Sequence, residues 1–194
     1  MLRDLKSSLI AVVAMTIVFG FAYPAVMTGF GQVAFRNKAD GSLVEVSGKI
    51  VGSKLAAQGF SSPRYFHSRP SAVGYNAAGT SFANLGPTSP DLAKAVAKQA
   101  QSILKLERPY NPGLTIHDIP VDAVTTSASG IDPDISLANA RLQSQRIASI
   151  RHLPRATVRR LVSRYTDGRS LGFLGEPGVN VLELNLALDR ETKH

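Results

Sequence analysis

Between Ser7 and Phe35 the chain carries no charged residue, and Leu9 to Met27 (LIAVVAMTIVFGFAYPAVM) is apolar apart from Thr16 and the amphipathic Tyr23. As a helix this run spans about 28 Å, close to the hydrocarbon thickness of a bilayer. A core helix of this length normally has a polar face and this run has none, which predicts a membrane anchor over 7–30. Arg3 and Lys6 ahead of it would also suit a signal peptide. The run is longer than a signal h-region, however, has no A-x-A-like site followed by a processable residue near its end and has Pro24 where cleavage would fall, so an uncleaved anchor is the reading. Arg3 and Lys6 are balanced by Arg36 and Lys38 on the other side. The short head then favours residues 1–6 as a cytoplasmic tail and 36–194 as an extracytoplasmic domain.

Beyond the anchor the patterns are shorter. Leu43, Val44, Val46, Ile50 and Val51 predict two short strands or a hairpin broken by Gly48. A stretch from Ser61 to Ser89 with Pro63, Pro70 and Pro87 has no periodicity and predicts a long surface loop. Ser89-Pro90 reads as an N-cap followed by proline at the first helical position. Leu92, Val96, Ala100, Ile103 and Leu104 then recur at helical spacing through Arg108. IPVDAVTTSASG (119–130) predicts a strand, and a helix follows from Leu137, with Leu142, Ile147 and Ile150 on its apolar side. Pro154 restarts a helix over RATVRRLVSRYTD, ended by Gly168. VLELNLALD alternates Leu182, Leu184, Leu186 and Leu188 against Glu183, Asn185 and Ala187, which predicts a half-buried closing strand. Together these give an α+β (mixed α/β) soluble domain tethered by one N-terminal transmembrane helix.

Composition removes several chemistries. There is no cysteine, and His67, His117, His152 and His194 lie at least 35 residues apart, so neither a thiolate site nor a local histidine motif is available. GSLVEVSGKI has six residues between Gly41 and Gly48 where a phosphate loop has four, and Ile50 stands where the metal-binding hydroxyl belongs. H-E-x-x-H is absent. In ASGIDPDIS, Asp132 and Asp134 stand two apart ahead of a helix. A calcium loop starting at Asp132 would put Leu137 where glycine is needed and Gln143 where the bidentate glutamate belongs. The pair therefore reads as a turn, with Ser136 capping the helix and the carboxylates near its positive end.

The net charge of +8 is concentrated, since Arg141 to Arg169 holds eight arginines against Asp167 alone. Two basic helices separated by a short break, within 137–168, allow an alternative reading as a membrane-anchored DNA-binding regulator. A solvated basic face, or one that meets acidic lipid or an acidic partner, is the plainer reading, and a domain outside the membrane meets no nucleic acid.

The order and spacing of the apolar helix, GSLVEVSGKIVGSKLAAQGF, YFHSRPSAVGYN, NLGPTSP, SASGIDPDIS with Gln143-x-x-Arg146, and VNVLELNLALD resemble the C subunit of the Kdp-type potassium-transporting ATPase (the KdpC family) nearly end to end. Ser68, Phe82-Ala83, Asp134 and Leu137 depart from that pattern, and the arginine run lies outside it. The resemblance implies a non-catalytic accessory subunit of an ATP-driven potassium import pump in the bacterial cytoplasmic membrane. Its implied partners are the membrane, a channel-like potassium-binding subunit and a P-type ATPase subunit, whose D-K-T-G motif this chain lacks. Roles in assembly and in raising the nucleotide affinity of the ATPase subunit follow, with no firmly bound cofactor and ATP only in association with that subunit. The resemblance ties Gln143 to nucleotide contact, which from outside the membrane becomes an allosteric effect. Candidate partner-binding residues are Asn84, Gly86 and Asp132, together with the small residues Ala11, Ala14, Gly20 and Ala22 of the anchor.

Overall fold

The computed structural model describes residues 1–192 and separates into two compact units, Met1–Leu43 and a second from Val44 onward. His194 of the sequence-level histidine set lies outside the described residues.

The first unit holds one continuous helical run, Leu2–Ala34, long and apolar enough to cross a membrane. It is built from α1 (Leu2–Met15), a π-helical segment (Thr16–Ala22) and α2 (Tyr23–Ala34), followed by the short α3 (Arg36–Ala39). The π segment has a local cause in Pro24, which has no N–H for the Gly20 carbonyl and whose ring crowds it. Widening the preceding turn relieves that crowding, and the Tyr23 N–H reaches five residues back to the Val18 carbonyl. Thr16 Oγ1 donates to the Val12 carbonyl at 2.8 Å, which satisfies the one hydroxyl in the apolar run's first half.

The second unit opens with a two-stranded ribbon, β1 (Leu43–Val46) and β2 (Lys49–Ser53). Its turn residues Ser47 and Gly48 both have positive φ, the backbone of a tight hairpin. Five further α-helices, one of them a single turn, and a small sheet follow among the described residues. They are α4 (Pro90–Glu107), the single turn α5 (Val121–Val124), β3 (Asp134–Ser136), α6 (Leu137–Ile150), α7 (Arg155–Arg164), β4 (Thr166–Asp167), β5 (Gly178–Asn180) and α8 (Val181–Glu191). The sheet is antiparallel in the order β3-β5-β4, with Ile135 opposite Val179. The core lies between it and α6, α7 and α8, around Phe66, Ile135, Ile147, Val158, Leu184 and Leu188. The α+β expectation holds, as do the caps: Ser89 accepts from the Asp91 N–H and Ser136 from the Asn139 N–H.

Three expectations are corrected. VLELNLALD is a helix, because Leu, Glu and Ala favour helix, no β-branched residue follows Val181, and Asn180 caps it by accepting from the Glu183 N–H at 3.1 Å. The 119–130 segment makes one helical turn and then irregular backbone, since Pro120 fixes the entry and Asp122 must reach the start of α6. The helix after Pro154 stops at Arg164, and Thr166 and Asp167 pair with β5 instead. The long loop also divides: residues 76–88 are exposed, whereas Phe66 is completely buried.

Candidate functional site

Ser61 to Arg69 passes over the core as a strap that turns at Ser62–Tyr65, where the Tyr65 N–H donates to the Ser62 carbonyl, and has no strand beside it, so the rest of its backbone must find partners among side chains. Arg146 Nη1 donates to the carbonyls of Pro63 and Tyr65, the latter at 3.0 Å. Arg151 Nε donates to the Arg64 carbonyl at 2.7 Å, Asn185 Nδ2 to Phe66 at 2.9 Å, and Gln143 Nε2 to His67 at 3.1 Å. Five consecutive carbonyls are thereby satisfied from α6, α8 and the turn after α6. The two amides also accept: Asn185 Oδ1 from the Phe66 N–H and Gln143 Oε1 from the His67 N–H, both at 2.8 Å. Each side-chain amide therefore pairs with the strap as a neighbouring β-strand would.

Gln143 is fully engaged. Its Oε1 also accepts from Arg146 Nη2 at 2.9 Å, and its Nε2 also donates to Asn139 Oδ1 at 2.9 Å. Its residual exposure of 6% faces a pocket of about 50 Å3 shared with His67, Ser68 and Glu107. Arg146 is anchored by Glu107, Nε to Oε1 at 2.7 Å, with both side chains buried. Burial holds the Glu107 carboxyl above its ordinary range, with the Arg146 charge and hydrogen bond opposing. Burial lowers the His67 pKa, the ring's hydrogen bond to the Ser62 carbonyl opposes that, and Arg146 adds to the lowering. Arg151 closes the strap's other end, paired with Asp189 at 2.9 Å and stacked 4.8 Å from the Tyr65 ring centroid.

Asp132 is a turn residue, as expected. Its Oδ1 accepts from the Asp134 N–H, and its Oδ2 pairs with Arg69 Nη1 at 3.0 Å. Asp134 lies against Gly178 and is held above the ordinary carboxyl range by burial, then by the charges of Asp132 and Asp167. Among the described residues no three histidine or acidic side chains converge as a metal site would require. The carboxylate at the start of α6 is Asp122, which accepts from the Ser136 N–H and Oγ and from Asn139 Nδ2. Sequence reading missed Asp122 because its segment had been assigned to a strand.

The structure brings two of the partner-binding candidates, Asn84 and Gly86, into one groove, which Asp132 does not line. Asn84 and Gly86 line a groove of about 530 Å3 with Arg69, the residue that holds Asp132. In the anchor, Ala11 and Ala14 lie three apart on one face of α1, whereas Gly20 and Ala22 fall two apart in the π segment and do not share a face. The basic segment is not one surface: Arg146 and Arg151 are buried in the strap network, and Arg169 pairs with Glu176. Asn185, Glu107 and Asp122 are the site residues that sequence reading missed. A buried Asn on a leucine-rich face is the one signal that a 3.6-residue reading of 181–191 would have exposed.

The family model described as the c chain of the K+-transporting ATPase, KdpC, matches residues 5–190. The potassium-transporting ATPase KdpC subunit of Methylococcus capsulatus is 47% identical over 192 residues, covering 97% of this chain and 98% of that protein. That of Koribacter versatilis is 46% identical, covering 97% and 95%. That of Mycobacterium tuberculosis is 46% identical, covering 98% and 100%.

Proposed function

The chain belongs to the KdpC family, the c chain of the K+-transporting ATPase, and from that membership we propose that it is a non-catalytic accessory subunit of an ATP-driven potassium import pump. The 7–30 anchor lies in the bacterial cytoplasmic membrane, and the domain that follows stands outside it. Its partners are a channel-like potassium-binding subunit and a P-type ATPase subunit, which it braces in one complex. The observation that carries this reading is the near end-to-end match to the family in a chain whose most buried polar residues are bonded to its own backbone.

Any effect on nucleotide affinity reaches the ATPase subunit by coupling between sites. Gln143 contributes by fixing the strap, since all of its amide positions are occupied internally. ATP then belongs to the ATPase subunit and this chain holds no cofactor of its own. The groove at Asn84 and Gly86 and the anchor face at Ala11 and Ala14 are the contact surfaces for the other subunits.

Expressing the pump with this chain cut after residue 35 tests the proposal. Loss of the assembled complex after detergent extraction is expected, with loss of potassium uptake at low external potassium. A complete and fully active complex without residues 36–194 would overturn it.

A further inference from the structure

The subunit role leaves a second concavity unused. Arg141, Ser144 and Gln145 follow at i, i+3 and i+4 on α6, and Arg155 and Arg159 stand one turn apart on α7. All five line one cleft of about 470 Å3. Arg141, Ser144 and Arg159 also border an adjoining groove of about 320 Å3 that continues to Leu137, Val162 and Thr166.

Charge separates these arginines from their neighbours. Arg69, Arg146 and Arg151 each pair with a carboxylate, Asp132, Glu107 and Asp189. Arg141, Arg155 and Arg159 are exposed, form no ion pair among the described residues, and no acidic side chain lines either compartment. Three like charges bordering one volume repel one another, and an anion placed between them offsets that cost. Guanidinium forks match the oxygens of a phosphoryl group, with the Gln145 amide as a further donor, the Ser144 hydroxyl being already donated to the Ala140 carbonyl. The adjoining groove mixes apolar Leu137 and Val162 with hydroxyls, a lining suited to an ester substituent rather than to a second phosphate.

We propose that this cleft binds a phosphate-bearing anion, its phosphoryl oxygens held among Arg141, Arg155 and Arg159 and its substituent directed along the groove towards Leu137. Two sources carry that chemistry, the headgroup of an anionic phospholipid and a soluble phosphate compound. The inference does not rest on the subunit role.

The test uses the full chain in neutral detergent. Native mass spectrometry counts phosphatidylglycerol retained against phosphatidylcholine, and calorimetry titrates pyrophosphate at low chloride. Binding of at least one probe is expected, and Arg159→Gln should weaken it about tenfold, the worth of one charge-assisted contact. The triple variant R141Q/R155Q/R159Q should abolish it at an unchanged melting temperature, and Arg159→Lys, which keeps the charge without the fork, should fall in between. Retention of phosphatidylglycerol that pyrophosphate does not displace assigns the lipid, and a pyrophosphate titration without lipid selectivity assigns the soluble compound. Failure of both probes to bind, equal binding by the triple variant, or arginine-dependent retention of duplex DNA with neither probe bound would each overturn the proposal.

Discussion

Arg146 heads the fully buried large side chains of this protein, and a charge in that position persists only when paired and hydrogen-bonded. Glu107, Gln143 and the carbonyls of Pro63 and Tyr65 pair the charge and take four of its five N–H groups. The same guanidinium acts on His67, whose pKa is lowered by burial first, against the Ser62 hydrogen bond, with Arg146 adding to the lowering. An imidazole whose folded pKa lies below its ordinary 6.5 binds fewer protons folded than unfolded. Its contribution to stability is full above that ordinary value and is lost as pH falls through the folded one. Glu107, raised by burial, has the opposite sign at lower pH, so the comparison must be between variants. Denaturant unfolding of wild type and His67→Gln from about pH 8 to about pH 5 should show wild type losing more stability on acidification. Parallel curves would show that His67 does not titrate with folding.

At the scale of elements, the strap is held by amides instead of a neighbouring strand, and α8 carries one of the two. Asn185→Ala leaves the Phe66 N–H and carbonyl unpaired in a fully buried setting, at a cost of about 2–5 kcal/mol for two unsatisfied groups. Asn185→Gln, whose extra methylene does not fit the same paired geometry, should recover little. Thermal unfolding with proteolysis at Arg64 as a second readout checks this, and a loss below about 0.5 kcal/mol, the range of ordinary surface substitutions, would reject the strap's dependence on Asn185. Local signals made part of this readable in advance: Ser89-Pro90, Ser136 and Gly48 act over two or three residues, and each does what its chemistry predicts. The α8 helix was not readable from alternation, because Leu at every second position satisfies period 2 while Val181, Leu184, Asn185 and Leu188 satisfy period 3.6, and only the Asn180 cap and helix propensity decide between them. The Glu107–Arg146 pair joins residues 39 apart, and no local pattern encodes such a contact.

For the whole molecule the remaining question is which surface meets the other subunits, and the loop between β4 and β5 presents an unusual tip. Arg169 closes its base on both carboxylate oxygens of Glu176 at 2.9 Å, and Ser170 and Leu174 exchange backbone hydrogen bonds above that pair. Leu171 has positive φ, as do Gly172 and Gly175, so the backbone turns tightly and leaves the side chains outside. Leu171 is 83% exposed, Phe173 68% and Leu174 50%. Single exposed apolar residues are ordinary, but three large ones within four positions on a braced turn form a patch that water disfavours until a partner covers it. The cap of the loop is held by hydrogen bonds and an ion pair, so a change at Phe173 should not disturb the fold. Phe173→Asp is expected to keep the wild-type melting temperature and to lose most of the co-extracted pump subunits, because a buried unpaired carboxylate opposes docking. Phe173→Leu, which keeps an apolar tip, should retain them. Recovery of the complex at wild-type yield with Phe173→Asp would remove this loop from the subunit interface and leave the groove at Asn84 and Gly86 to carry it.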